Sequence, residues 1–150
     1  MRIRKYRDED AAAIARLHRG TVLHVNKNDY SKRAIRAWLK RTTAANIRAS
    51  AAKRNRFVAI QQEKVVGVAG ITDNEIRGMY VHKDHQREGI GSKLLKRIEQ
   101  EAQKNSVKTL HVKSSPYAVP FYKKHSYKKL KTCTEPRFGL TCFKMQKRLK

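Results

Sequence analysis

The run Gln86-Arg87-Glu88-Gly89-Ile90-Gly91-Ser92 joins a segment that reads as a strand ending at Val81 to one that reads as a helix opening at Ser92. The first N–H groups of a helix have no partner within it, and the aligned peptide dipoles make that end electropositive. Glycines at 89 and 91 remove the side chains that would keep an anion away from those N–H groups. Arg87, Lys83, His82 and His85 add positive charge nearby, whereas Lys93, Lys96 and Arg97 lie further along the helix. The chemistry this arrangement suits is the binding of phosphate oxygens. Taken alone, a glycine pair at a helix start also fits a tight strand-to-helix turn.

Two nucleotide signatures do not fit. A dinucleotide fingerprint needs a further glycine and an acidic residue closing a later strand, and a Walker loop needs Gly-Lys-Ser/Thr. Neither is present.

The flanking elements must position the loop. Residues 2–6 alternate as a short opening strand. Asp8-Glu9-Asp10 places acids in the first turn of a helix whose apolar face is Ala11, Ile14, Ala15 and Leu17, running to about Val25. Asn26-Lys27-Asn28-Asp29 reads as a turn, and Ser31 as the N-cap of a helix carrying Ile35, Trp38 and Leu39. The Ala- and Arg-rich stretch 42–55 reads as helical. Residues 57–60 and 65–71 form a hairpin across Gln62-Glu63-Lys64, and residues 75–81 a third strand. After the loop, Leu94, Leu95, Ile98 and Ala102 define a helix. Residues 109–112 make a strand, 118–125 a short helix, and 128–133 and 141–149 the last strands. This order predicts an α+β fold, a three-layer sandwich with a mixed sheet, in which residues 75–112 form a parallel crossover unit.

A chain of 150 residues is an ordinary size for one domain, and residues 1–150 are taken as one. No apolar run approaches the ~18 residues of a membrane span, and no secretory leader follows Met1, so a cytoplasmic location is expected. Six histidines and two cysteines, Cys133 and Cys142, match no metal-ligand spacing, so no metal is expected, and the cysteines read as ordinary thiols. The unusual bulk property is charge: 36 basic against 12 acidic residues, a formal +24. Residues 1–75 hold 17 basic and 7 acidic side chains and residues 76–150 hold 19 and 5, so the excess is not confined to a tail. It reads either as a generally basic surface or as the mark of a polyanionic partner such as RNA or the ribosome.

The stretch Met79-Tyr80-Val81-x4-Gln86-x2-Gly89-x-Gly91-Ser92-x-Leu94-Leu95 resembles motif A of the GNAT family of N-acetyltransferases, whose signature is Gln/Arg-x-x-Gly-x-Gly/Ala. Ser115-x2-Ala118-x-Pro120-Phe121-Tyr122-x2-His125-Ser126-Tyr127 is similar to the family's later motif. That motif usually has Asn at position 115 and Gly-Phe at 126–127, so Ser126 loses an easy left-handed turn and the helix end is expected to differ. The resemblance covers residues 65–127 best. It implies a mixed, mostly antiparallel sheet of about seven strands with a splayed parallel pair, and a single acetyltransferase domain, monomeric or homodimeric. It also implies acetyl-CoA as cofactor, bound by Met79, Tyr80, Val81, Gln86, Arg87, Glu88, Gly89, Ile90, Gly91, Ser92, Ser115 and Tyr122.

Acetyl transfer to an amine, as the resemblance implies, needs a neutral nitrogen, a donor to the thioester oxygen and a proton for the leaving thiolate. The backbone of Met79-Tyr80-Val81 is the donor, pairing with the pantetheine arm like an added strand. Tyr122 stands at the family's tyrosine position and is the general acid. Glu75, 11 residues before Gln86 as in the family's histone-acetylating members, is the base, with Asp73, His111 or a water chain as alternatives. Regular alternation would put Glu75 on the strand face of Met79 and Val81. The acceptor site is expected around Asp29, Tyr30, Trp38 and the loop 135–139. A competing reading is a basic nucleic-acid- or ribosome-binding module that keeps the fold without catalysis.

Overall fold

In the computed structural model, residues 1–150 build one seven-stranded sheet in the order β1-β2-β3-β4-β5-β7-β6. Its strands are β1 (Arg2–Lys5), β2 (Asn55–Gln61), β3 (Lys64–Thr72), β4 (Glu75–Val81), β5 (Thr109–Ser114), β6 (Lys128–Glu135) and β7 (Leu140–Arg148). Every neighbouring pair is antiparallel except β4 and β5. The expected mixed sheet with one parallel crossover is the fold observed.

Five helices cover the sheet: α1 (Ala11–Thr21), α2 (Lys32–Arg41), α3 (Ala44–Ser50), α4 (Ile90–Lys104) and α5 (Val119–Lys124). Side-chain periodicity decides which face each one takes. Leu94, Leu95 and Ile98 of α4 are at most 2% exposed and pack with Phe57, Ala69, Ile76, Leu110 and Met145 on one face. Burying each such side chain contributes roughly 2 kcal/mol. On the opposite face, Ile14 and Leu17 of α1 and Ile47 of α3 cover Val58, Ile60 and Val68. Trp38 and Ile35 of α2 meet Val22 and Leu140, at the start of β7. Local caps agree with this placement. Ser31 Oγ accepts from Ala34 N at 3.1 Å, and Thr43 Oγ1 from Asn46 N at 3.1 Å. Arg4 of β1 forks onto Asp10 just before α1, at 2.8 and 2.9 Å. Burial alone would raise the Asp10 carboxyl, but this fork and the Arg7 N–H hold it below the usual carboxylate range.

Three local findings differ from expectation. First, strand alternation breaks inside β4. Tyr80 pairs with Val68 but Arg77 with Gly70, so the register shifts around Gly78. Gly78 has φ +70°, and a Cβ there would stand 3.1 Å from Arg54 Nη1. Met79 and Val81 therefore pack on the α4 side while Tyr80 packs on the α1 side. Glu75 is one residue out of phase with the buried Ile76, so it shares the α1 face rather than that of Met79 and Val81. Second, Cys133 and Cys142 are not separate thiols. They stand directly opposite in the β6–β7 ladder, Cα to Cα 4.9 Å, and their sulfurs are joined. Third, the end of α5 does not depart from its usual form. Ser126 takes φ +72°, and Ser126 N and Tyr127 N close back onto Lys123 O and Tyr122 O. A non-glycine residue in that conformation costs about 1 kcal/mol. Ser126→Gly should therefore raise the thermal midpoint by about 2–4 °C; a drop in a melting experiment would contradict it.

Candidate functional site

The loop between β4 and α4 is built around backbone donors. Gly89 is the N-cap of α4, with φ +81° and open space where a Cβ would stand. No side chain caps this helix, and the first closing bond is Lys93 N to Gly89 O at 3.2 Å. The N–H groups of Arg87 through Ser92 find no acceptor in the protein. They form a cluster of donors backed by a fifteen-residue helix, and all of these residues but Glu88 line one cleft. Arg87 holds φ +65° and has no acidic partner, so its guanidinium is available to the same space. Gln86 works inward: its Nε2 donates to Val81 O at 2.7 Å and fastens the loop to the strand. Glu88 is turned to His85 at 3.2 Å. Ile90 is buried in the core and offers only its N–H. Gly91 lies against the ring of Phe121, where a Cβ would meet the ring at 3.2 Å. Ser92 Oγ is held by His125 Nε2 at 2.9 Å.

From this cradle a cleft of about 1010 Å³ follows the edge of β4 into the gap beside β5. The two strands pair only at Glu75–His111 and Ile76–Val112 and then separate. Beyond Ile76 the β4 backbone is therefore open toward β5 along Met79, Tyr80 and Val81. Tyr122 of α5 projects into the gap. Its hydroxyl is buried and donates to Met79 Sδ at 3.5 Å, a weak acceptor that leaves most of its donor capacity unused. Burial pushes the phenol well above its ordinary value, so it stays protonated. Ser115 Oγ accepts from Ala118 N at 3.3 Å and caps the turn into α5.

The cleft continues through the sheet to the α1 face. Tyr30, Trp38, Glu135, Pro136, Arg137 and Phe138 line it there, joining the two segments that the sequence nominates for the acceptor; Asp29 and Gly139 do not reach it. Glu75 lines the same space, with Arg77 Nη1 at 3.7 Å from its carboxylate. Tyr80 takes no part through its side chain toward α4. It stacks on His18 with centroids 3.8 Å apart, and burial pushes its phenol up to about 12. Burial, with Arg54, Arg56 and Arg137 adding repulsion, drives the His18 imidazole down to about 3, so it is neutral. Asn26 is a residue the sequence reading takes as mere turn. It ends a π-helical turn, Val22–Asn26, that extends α1. The residue is 4% exposed and lines the cleft, and its side chain makes no hydrogen bond within the protein. The break in helical period after Thr21 could have flagged it, since such turns gather at functional sites.

The sequence profile of the acetyltransferase (GNAT) domain matches residues 26–149. The chain belongs to that family. Among solved structures it is similar to a GCN5-related N-acetyltransferase from Rhodopseudomonas palustris, with 26% identity and TM-score 0.90, covering 99% of this chain and 95% of that one. It shares its fold with the PaiA N-acetyltransferase of Thermoplasma acidophilum solved with coenzyme A (18% identity, TM-score 0.81, 98% of each chain). It also shares it with yncA of Salmonella typhimurium, a putative acetyltransferase solved with acetyl-CoA (23% identity, TM-score 0.72, 99% and 94%). No curated protein matches it in sequence. No helix is long and apolar enough to cross a membrane, and no group of His, Cys, Asp and Glu residues is placed to hold a metal.

Proposed function

We propose that this protein is an acetyl-CoA-dependent N-acetyltransferase that acts on a primary amine, with residues 1–150 working as one catalytic domain. The observation that carries the reading is a continuity. Unpartnered N–H groups of Arg87, Gly89, Ile90, Gly91 and Ser92 at the start of α4, the open edge of β4 and the buried Tyr122 hydroxyl lie along one cleft. Unsatisfied donors beside a glycine with open space suit a pyrophosphate, and an unpaired strand edge suits an amide-bearing arm, so the residues fit coenzyme A.

When bound, acetyl-CoA supplies the activated acetyl group as a thioester. The N–H groups of Arg87 to Ser92 would hold its phosphates, with the Arg87 side chain as counter-charge. The backbone N–H groups of Met79 to Val81, on the edge of β4 that opens toward β5, would be the donors to the thioester oxygen. The Tyr122 hydroxyl, on the α5 side, would supply the proton that the leaving thiolate needs. Glu75 receives the proton of the incoming amine from the α1 side, where Tyr30, Trp38, Asn26 and Phe138 shape the entry. Acid and base thus stand on opposite faces of the splayed strands, and the bulge at Gly78 puts Met79, the partner of the Tyr122 hydroxyl, on the face away from Glu75.

With Glu75 as base, Glu75→Gln should slow turnover most at low pH. The loss should shrink as pH rises and the amine deprotonates unaided. A pH–rate profile for the variant that parallels the wild type would remove Glu75 from the reaction. The activity itself is read by release of free coenzyme A thiol over a panel of polyamines, amino acids, peptides and charged tRNA. Amine-dependent release supports the reading, and no release with any acceptor contradicts it.

A further inference from the structure

Folding gathers part of the +24 charge onto one surface. Helices α1–α3 cover β2–β4 and reach only Leu140 of β7, while α4 and α5 lie on the opposite face. The α1 face is therefore left open along β5, β7 and β6. The ladder determines which side chains stand there, because directly paired residues share a face. Lys113, Lys144 and Lys131 face one another across three strands, Lys113 opposite Lys144 and Lys144 opposite Lys131. The next row is His111, Gln146 and Lys128, and beyond it stand Thr109 and Arg148. Strands lie about 4.8 Å apart and alternate residues about 7 Å, so five cations share a patch about 10 Å wide and 14 Å long.

None of Lys113, Lys128, Lys131, Lys144 and Arg148 has an acidic partner. The nearest acids on this face, Glu75 and Glu135, are engaged by Arg77 and Arg137. Like charges directly opposite in a ladder destabilise it. An anionic partner laid across a row of three lysines without an intervening acid would relieve that repulsion.

We propose that this face of β5, β7 and β6 binds the phosphate backbone of a nucleic acid. Thr109, His111 and Gln146, the side chains among the cations, are hydrogen-bonding groups rather than apolar ones. Leu130, exposed at the β6 bulge beside Lys131, is a single apolar side chain, far less than the apolar face that holds a protein in a lipid headgroup layer. The patch also carries no aromatic platform for stacked bases, so binding is electrostatic and independent of sequence. The proposal does not depend on acetyl transfer.

The test is fluorescence anisotropy with a labelled 20-nucleotide single-stranded RNA and the corresponding DNA, each over a range of salt. Five phosphate contacts give a slope of log K against log salt of about −3.5. The K128Q/K131Q/K144Q variant should bind more weakly and lose about 2 of that slope. A control of equal charge, K5Q/K53Q/K104Q, uses exposed lysines elsewhere and should lose little. The first variant should melt no lower than wild type, because it removes repulsion. Equal losses in the two variants would show that the charge acts diffusely and overturn the proposal. So would absence of nucleic-acid binding, or binding to phosphatidylserine vesicles in its place.

Discussion

Replacing Tyr122 with phenylalanine is expected to lower kcat by about 10²-fold while leaving the dissociation constant for coenzyme A within about two-fold. The hydroxyl bonds only to the thioether of Met79, so its removal leaves no strong partner unsatisfied and the fold should hold. The ring remains packed against Phe121 and Tyr127. What disappears is a proton donor at the place where the sulfur leaves. Because burial raises the phenol's pKa, Tyr122 stays protonated throughout the neutral range, and no loss of rate from its ionisation should appear there. A single-turnover measurement separates the chemical step from product release. An unchanged chemical rate would take Tyr122 out of the mechanism.

Gly89→Asp should weaken coenzyme A binding by about 10²-fold. Two opposing tendencies make this substitution informative. Aspartate is a favoured N-cap and tolerates a left-handed backbone better than most residues, and the space beside Gly89 is empty, so the structural cost is about 1 kcal/mol. The same carboxylate would occupy the space into which the unpartnered N–H groups point. A unit charge about 5 Å from a phosphate charge, at an effective dielectric of 20, repels by about 3 kcal/mol, which is roughly 10²-fold in affinity. Calorimetric titration of the variant, alongside its melting curve, reads both quantities. Retained affinity with a normal melt would show that the phosphates do not sit on this loop.

The glycine turn between β4 and α4 was legible because its signal is local. A glycine pair between an apolar strand and an amphipathic helix constrains the backbone whatever surrounds it, and the elements on either side follow from periodicity alone. The side of the sheet on which each site residue stands was not. Counting by twos from Glu75 to Val81 fails at Gly78, where a strand glycine marks a bulge that only pairing with β3 reveals. The Cys133–Cys142 bond was hidden for a related reason. Nine residues is no motif, and only the β6–β7 register sets the two side by side. Asn26 acquires its position from a helix that widens after Thr21 rather than stopping, and the open basic face exists because no helix crosses β5, β7 and β6. Each of these depends on contacts between segments far apart in sequence.

The central claim is that the loop from Gln86 to Ser92 holds coenzyme A for acetyl transfer. Titration of acetyl-CoA into the wild-type protein by calorimetry tests it most directly. Saturable binding at one site per chain, with a dissociation constant well below a millimolar, is the predicted result. Absence of any heat of binding at millimolar acetyl-CoA, from protein shown to be folded, would contradict it.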